Sequence, residues 1–480
     1  MKRLGDILDL AGADAALAER EIGGLSADSR KVAPGDAFFA VSGTKADGLA
    51  YAAEAAAKGA AVIVAERAPD FAAPAFVRVA DARAALAAAA ARFYPRQPEI
   101  VVAVTGTSGK TSIAAFVRQI WAASGREAAS LGTLGVVSRP INRYGSMTTP
   151  DPIALRQTLD ALAEAGVTHA AIEASSHGLD QKRLDGVRFA AGAFTNLSRD
   201  HLDYHATMEA YLAAKLRLFR ELLPVGAPAV FDADSEVAPR VAEAAAARGL
   251  QPISVGARGE AIRLISTERD GFATRIAFAY AGRERRVRLP LPGDFQVSNA
   301  LVSAALCLAT GSAPDAVFAA LGRLEGAPGR LERLGDKRGA PVVVDYAHKP
   351  DALEKALAAL RPFVRGRLIV VFGCGGDRDS GKRPMMGAIA ARLADVVIVT
   401  DDNPRSEDPA TIRAAILAAA PRAREIGDRG EAIRAAIAML SADDALLIAG
   451  KGHETGQILA DRTLPFSDAE AARAALEEGA

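Results

Sequence analysis

Short apolar runs alternate with turn residues near the start of the chain. AFFAV and AAVIVAE lie between about residues 25 and 80, separated by Pro34-Gly35-Asp36 and Gly43-Thr44. Runs of that length between turn signals predict a small α/β module. The Ala-rich stretch 82–93 predicts a helix, and Tyr94-Pro95-Arg96-Gln97-Pro98 ends it with two prolines. A domain boundary is expected there. Beyond it IVVAVTG reads as a buried strand, and strands alternate with helical stretches through AAIEAS and AAGAFTNL, which argues for a parallel sheet with crossover helices. Gly and Pro in LEGAPGR, 324–330, precede a fresh series of apolar strands, PVVVDYA, RLIVVFG, DVVIVTD and ALLIAG. A third α/β unit of about 150 residues therefore closes the chain. No fixed-period repeat or low-complexity tail interrupts this order.

Composition narrows the function classes. With 480 residues, half of them apolar but only 5% aromatic, the chain can build about three cores, largely from Ala, Val and Leu. Lys plus Arg, 58, equals Asp plus Glu, 58, which argues against a general nucleic-acid or anionic-membrane binder. Any bound anion must be met by local groups. The two cysteines, Cys307 and Cys374, offer neither metal-ligand spacing nor a disulfide framework, so a reducing cytosol is expected. Asp6, Asp9 and Asp14 interrupt the first apolar run as a signal peptide would not tolerate, and no stretch reaches the ~18 apolar residues of a membrane span. A soluble cytoplasmic protein is expected.

The strongest chemical signal is Thr105-Gly106-Thr107-Ser108-Gly109-Lys110-Thr111-Ser112, between a strand and a helical run. Backbone N–H groups at such a turn cradle phosphates, Lys110 reaches the terminal phosphates, and the Thr111 hydroxyl can ligate Mg²⁺. One departure is Val104, where the general G-x-x-x-x-G-K-[ST] pattern has its first glycine. A second candidate, Gly376 to Arg383, ends in Arg where a hydroxyl should hold the metal, and reads as a decoy for nucleoside triphosphate. Its Arg378, Lys382 and Arg383 still suit a carboxylate or phosphate.

Glu173 ends one strand, and Asn196-Leu-Ser-Arg-Asp200-His201-Leu-Asp203-Tyr-His205 follows another. Strand ends in a parallel sheet face one crevice, so Glu173 and His201 can meet a metal held by Thr111. Taken alone, Glu173 reads equally as a solvated strand-end carboxylate, His205 as a surface or capping residue, and Lys215 as a snorkelling surface lysine.

TGTSGKTS, SMTTPDP, EASSHGLDQKRL, FTNLSRDHLDYH with AAKLRLF, APGRLERL, DYAHKPDAL, GCGGDRDSGKRP, DDNPR and GKGHE together resemble the Mur ligases of peptidoglycan synthesis, from Asp28-Ser29-Arg30 to Glu454. The resemblance implies an α/β protein of three domains: 1–97 holding the UDP end, 98–328 a central P-loop parallel-sheet ATPase, and 329–480 a Rossmann-like domain that binds the incoming amino acid and closes over ATP. It implies that Ser29, Thr44 and Lys45 contact the UDP-sugar, and that Thr148, Thr149, Ser175, Gln181 and Arg183 hold the muramoyl-dipeptide. Gly106, Thr107, Ser108, Gly109, Lys110, Thr111 and Ser112 would bind ATP, with Asn299, Arg330, Asp345 and His348 reaching it from the far side. Gln296 stands where the family pattern has asparagine. Thr111, Glu173, His201 and a carbamylated Lys215 would hold Mg²⁺, with Lys110, Lys215 and His201 catalytic.

The amino-acid site implied is Arg378, Asp402, Asn403, Pro404, Arg405, Gly450 and Glu454. The DNPR arginine is the family feature associated with meso-diaminopimelate over lysine, because Arg405 can pair with the extra carboxylate. The activity implied is ATP-dependent, ADP-forming ligation of that amino acid to UDP-N-acetylmuramoyl-L-alanyl-D-glutamate through an acyl phosphate. This is a cytoplasmic step of cell-wall precursor synthesis, performed by a monomer on small molecules. The competing readings are a lysine-adding ligase of the same family, a folylpolyglutamate synthetase-like ligase, and a P-loop switch that makes no bond.

Overall fold

The computed structural model describes residues 1–10, 15–43, 47–145 and 147–478, and the chain divides into two compact units. The first comprises Met1–Lys110, Val117–Val255 and Ala305–Ala313, and the second Thr111–Phe116, Gly256–Ala304 and Pro314–Ala480. Among the described residues no helix is long and apolar enough to cross a membrane.

In the first unit, the early apolar runs form a parallel four-stranded sheet in the order Gly24–Ser26, Asp36–Phe39, Val62–Ala65, Phe76–Arg78. The helix Ala82–Phe93 starts at Asp81, whose carboxylate accepts from Ala84 N–H, and it buries Leu86, Ala89 and Ala90 against that sheet. A larger parallel sheet follows, with strands ordered Ala128–Gly132, His169–Glu173, Ile100–Thr105, Ala191–Phe194, Pro228–Asp232 and Gln251–Gly256. The strand Ile100–Thr105 thus lies between two strands that come later in the chain. Its carboxyl end, and the loops leaving both neighbours, open at the same sheet edge, where ligands of such sheets bind.

The second unit contains an antiparallel meander, Ile262–Asp270, Ala273–Tyr280 and Arg283–Leu289, that the alternation of strands and helices did not announce. Its two outer strands are polar and largely exposed, and only the middle one carries a buried apolar run, Ile276 to Phe278, so two of the three lack the pattern that marks buried strands. The expected closing α/β unit is present. Its sheet runs Glu332–Lys337, Ala340–Asp345, Ala445–Ala449, Leu368–Phe372, Val396–Val399, Arg424–Glu425, parallel except at the first pair. Successive side chains go to opposite faces. Val343, Val370, Phe372, Val399 and Leu447 pack with the helices Pro350–Leu360, Lys382–Leu393 and Pro409–Leu417, whereas Val342, Val344, Ile369, Val371 and Ile448 pack with Arg429–Ala438 and Asp468–Glu478. Both faces are covered, which is why these strands read as continuous apolar runs.

The proline-bearing segment expected at a domain boundary is tied down rather than free. Arg156, buried on the helix Pro152–Glu164, donates from Nε and Nη2 to Tyr94 O, from Nη2 to Arg96 O, and from Nη1 to Gln97 Oε1. Burial, reinforced by the Arg188 charge, pulls its pKa down to about 10. Arg156→Ala should strand these carbonyls at about 1–3 kcal/mol per unpaired buried group. Trypsin cleavage after Arg96 should then accelerate at least about fivefold at a given temperature; an unchanged cleavage rate would refute this tie.

Candidate active site

The phosphate-type loop is shaped by two glycines and by side chains from the neighbouring strand's loop. Gly106 and Gly109 have φ of 137° and 88°, values that favour glycine. A Cβ on Gly106 would collide with Thr195 Oγ1 and lie 3.1 Å from Asn196 N. Thr195 Oγ1 donates to Ser108 O at 2.6 Å, Thr107 N to Asn196 O at 2.8 Å, and Ser108 N to Asn196 Oδ1 at 3.0 Å. Ser198 N donates to Thr107 Oγ1 at 3.0 Å, so the segment 195–198 serves as the loop's mould. Lys110 and Thr111 open the helix Lys110–Ala123, whose first N–H groups lack intrahelical partners.

Two lysine ammonium positions converge on this loop. Lys110 Nζ lies 2.9 Å from Gly106 O and 2.8 Å from Thr107 O, and Lys215 Nζ lies 2.7 Å from the same Gly106 O. Lys215, on the helix Met208–Arg217, is 1% exposed, which corrects its reading as a snorkelling surface side chain. Its Nζ sits 4.2 Å from the centre of the Tyr211 ring, and the Tyr211 hydroxyl is 3.2 Å from Thr107 Oγ1. Burial first, and the Lys110 charge second, drive the Lys215 pKa well below that of an ordinary lysine. Burial likewise pushes the Tyr211 phenol up to about 12, so it stays protonated.

Histidines gather beside this pair. His201, with φ 54°, takes its backbone N–H to Asp200 Oδ1 at 2.9 Å, and its ring lies 6.2 Å from Tyr211 and 4.9 Å from His177. His205 is buried, 5.2 Å from the Tyr211 ring and 4.8 Å from Tyr204, which corrects the surface or capping reading. Its Nε2 has no hydrogen-bond partner among the described residues. Burial lowers the pKa of both His177 and His205, so both rings tend toward the neutral form. Among the described residues no group of three or more His, Cys, Asp or Glu side chains gathers as a metal cage.

Glu173 is 2% exposed, not a solvated strand-end carboxylate. Its Oε1 accepts from Thr133 N at 2.8 Å and its Oε2 from Thr133 Oγ1 at 3.3 Å. A Cβ on Gly132 would fall on the carboxylate, so that glycine makes room for it. Thr133 Oγ1 is also 3.0 Å from Thr148 Oγ1, which links the metal-candidate carboxylate to the dipeptide-candidate residues. Thr149 Oγ1 donates to Glu173 O at 2.8 Å and accepts from Ser175 N and Oγ. Arg183 Nη1 donates to Thr149 O at 2.7 Å while Nε and Nη2 grip Gln181 Oε1. Thr148, Thr149, Ser175, Gln181 and Arg183 are therefore one connected group. Ser29 lies elsewhere in this unit, donating to Glu54 Oε2 at 2.7 Å; Thr44 and Lys45 lie outside the described residues.

In the second unit the remaining candidates lie on loops at one edge of the closing sheet, except Asn299, which lies on the helix Asp294–Ala309. Asp345 is half-buried, accepts Leu331 N–H at 2.8 Å on Oδ2, and has its pKa raised by desolvation against the opposing pull of Arg330. Arg330 stacks 5.0 Å from the Tyr346 ring, and His348 Nδ1 sits 2.8 Å from Tyr346 O. Asn299 Nδ2 donates to Gln296 Oε1 at 3.0 Å, so Gln296 has a definite role here as its acceptor.

Asn403 accepts from Lys451 Nζ at 2.8 Å and from Ile458 N at 2.9 Å on Oδ1, and donates from Nδ2 to Glu454 Oε2 at 3.0 Å. Asp402 Oδ2 is buried with no hydrogen-bond partner among the described residues, and a Cβ on Gly450 would lie 2.7 Å from it. Arg405, with φ 53°, donates from Nη1 to Gly376 O and Asn403 O. Its Nε and Nη2 edge carries no hydrogen bond among the described residues, which leaves two parallel donors for a carboxylate. In the second glycine-lysine loop, Arg383 is consumed by Glu407 at 2.8 Å and Lys382 Nζ by His348 O at 2.9 Å, while Arg378 stays exposed.

Thr133, His177, Tyr211 and Lys451 were not legible as site residues. His177, within EASSHGLDQKRL, and Lys451, within Gly450-Lys451-Gly452-His453-Glu454, had a local signal.

Three family models match the chain in order: "Mur ligase family, catalytic domain" on residues 21–94, "Mur ligase middle domain" on 104–307, and "Mur ligase, glutamate ligase domain" on 329–452. A UDP-N-acetylmuramoyl-L-alanyl-D-glutamate--2,6-diaminopimelate ligase of Bradyrhizobium diazoefficiens is 60% identical over 476 residues, 98% of each chain. A protein of the same name from Mesorhizobium japonicum is 58% identical over 483 residues, covering 100% of this chain and 99% of its own. A solved structure of a protein of that name superposes with a TM-score of 0.73 at 33% identity, over 97% of each chain.

Gly106→Ala combines a disfavoured backbone conformation, costing about 1–2 kcal/mol, with displacement of Thr195. Affinity for ATP, measured by isothermal titration calorimetry, should fall at least about tenfold; unchanged affinity would place the nucleotide elsewhere.

Proposed function

The chain belongs to the Mur ligase family, and we propose that it joins meso-diaminopimelate to the D-glutamyl side-chain carboxylate of UDP-N-acetylmuramoyl-L-alanyl-D-glutamate, converting ATP to ADP and phosphate. The observation that carries this reading is the meeting of Lys110 and Lys215 at the Gly106 carbonyl of a glycine-shaped loop. Such a loop presents cationic and N–H donors where the end of a nucleoside triphosphate would sit. The division of labour follows 1–97 for the UDP end, 98–328 for ATP and 329–480 for the amino acid, a scheme supported by the order of the three family models.

An unactivated carboxylate does not acylate an amine in water. The γ-phosphoryl group therefore passes to the D-glutamyl carboxylate, ADP leaves, and an acyl phosphate remains. The amine then attacks that carbonyl and phosphate departs with the C–O bonding pair. Lys110 offsets the repulsion between phosphate and carboxylate. Thr148, Thr149, Ser175, Gln181 and Arg183 orient the dipeptide, and Ser29 with Thr44 and Lys45 holds the UDP end. Asn299, Arg330, Asp345 and His348 add contacts to the nucleotide.

Thr111, Glu173, His201 and a carbamate on Lys215 would hold Mg²⁺, which when bound neutralises charge on the transferring phosphoryl group. The buried Glu173 carboxylate and the buried Lys215 amine fit that role. A lowered pKa leaves Lys215 its lone pair. The amine nitrogen bonds to the carbon of CO2 and releases a proton, so a side chain that repels a cation as an ammonium becomes an oxygen ligand of charge −1.

Diaminopimelate is favoured over lysine because the free Nε and Nη2 edge of Arg405 can take its second carboxylate, and Asp402 Oδ2 can take an ammonium. With lysine the guanidinium would stay unmatched. With ATP and UDP-muramoyl-dipeptide, mass spectrometry should find the diaminopimelate adduct and little lysine adduct. Arg405→Ala should raise the KM for diaminopimelate about 10–100-fold and leave that for ATP within about twofold. Equal lysine product, or phosphate release independent of both acceptors, would defeat the reading.

Lys215→Ala should be nearly inactive in a coupled ADP assay and regain part of its activity with added formate or acetate. Full activity without rescue would remove Lys215 from the metal site.

A further inference from the structure

A buried ion pair stands behind the proposed amino-acid loops and belongs to none of the groups assigned above. Arg429, first residue of the helix Arg429–Ala438, and Asp468, first residue of the helix Asp468–Glu478, are both 0% exposed in their side chains. The guanidinium pairs bidentately, Nε to Oδ1 at 2.6 Å and Nη2 to Oδ2 at 2.7 Å. Its remaining donors go to two main-chain carbonyls: Nη2 to Ala449 O at 2.9 Å and Nη1 to Asp401 O at 3.4 Å. Ala449 is the last residue of its strand before Gly450, and Asp401 directly precedes Asp402-Asn403-Pro404-Arg405. One side chain thus holds the roots of both loops that carry the diaminopimelate candidates.

The loops need such a hold. Gly450 has φ 119°, and a Cβ there would lie 2.7 Å from Asp402 Oδ2 and 3.7 Å from Arg429 Nη2, so the two loops and the guanidinium are in close approach. Asp402 and Arg405 must be placed to within about half an ångström to receive an ammonium and a carboxylate together. Stability alone does not account for the pair, because a buried ion pair replaced by apolar residues of like volume is often neutral or stabilising. Its specific product is geometry: only a planar fork anchored by a carboxylate can reach two carbonyls on different loops.

We infer that Arg429 and Asp468 are positioning residues for the amino-acid site, fixing the Asp402–Arg405 and Gly450–Glu454 loops relative to one another. The inference rests on the reading of those loops as the diaminopimelate site. It also gives the C-terminal helix a part in substrate recognition, beyond the residues 329–452 that the last family model matches.

The test compares the full-length protein with the double variant Arg429→Met/Asp468→Leu, which leaves no unpaired charge, and with Arg429→Lys, which keeps a partner for Asp468 but cannot span both carbonyls. The KM for diaminopimelate should rise about tenfold or more in each, while those for ATP and UDP-muramoyl-dipeptide stay within about twofold and the melting temperature within a few degrees. Should the double variant fail to fold, Arg429→Lys alone decides by the same readout. An unchanged diaminopimelate KM, or three KM values rising together, would overturn the inference. Wild-type protein run alongside separates the two levels: no diaminopimelate product from it would overturn the functional reading and this inference with it, whereas normal wild-type turnover with unshifted variants would overturn the inference alone.

Discussion

The Gly106 carbonyl oxygen accepts from both Lys110 and Lys215, and much of the first unit is arranged to make that possible. Like charges brought to one oxygen repel each other, and the repulsion favours loss of a proton from one of them. Lys215, buried as well as crowded, is the one whose proton is destabilised. Lys110 opens a helix, is only half-buried, and bonds two loop carbonyls. One carbonyl thereby receives two lysines, of which only Lys215 is fully buried. The arrangement needs glycine at 106, whose φ of 137° residues with a side chain rarely adopt and whose missing Cβ leaves room for Thr195.

The parallel sheet supplies the rest of the frame. Placing Ile100–Thr105 between His169–Glu173 and Ala191–Phe194 brings the loop, the Glu173 carboxylate and the 195–201 segment to one edge. The hydrogen bonds then run in chains: Thr133 joins Glu173 to Thr148, and Thr149 joins Glu173 to Ser175 and Arg183. A carboxylate suited to a metal and the side chains suited to the acceptor peptide therefore cannot move independently. Tyr211 plays the corresponding part for Lys215, covering the amine with its ring and bonding the loop through its hydroxyl.

The second unit meets its own problem, how to keep charged groups buried yet available. Lys451, fully buried, is matched by Asn403 and Glu454, and Arg429 by Asp468. Asp402 Oδ2 and the Nε and Nη2 edge of Arg405 are left without partners among the described residues. Leaving the buried Asp402 oxygen unmatched is costly unless a ligand satisfies it. The positive φ of Arg405, held by its N–H to Ile458 O at 3.0 Å, is strain of the kind retained where a side chain must be aimed.

What could be read along the chain was whatever depends on near neighbours. The strand Ile100–Thr105, the glycines and lysine of its loop, the helix Ala82–Phe93 and the four apolar strands of the last unit all follow from local pattern and turn chemistry. Motif spacing went further and named the family, together with the candidate site residues whose surroundings the structure describes. Burial and partnership could not be read, because they are set by residues far apart in sequence. Lys215 looks like a surface lysine until a carbonyl 109 positions earlier receives it, and His205 looks like a cap until Tyr204, Tyr211 and His177 enclose it. The meander 262–289 carries one apolar run, in its middle strand, between two polar strands that gave no sign of it. The central place of Ala445–Ala449 between strands that precede it by about a hundred and by about eighty residues was likewise decided only when the sheet assembled. Local chemistry chose which groups were present; only the fold decided which of them lost water and which faced one another.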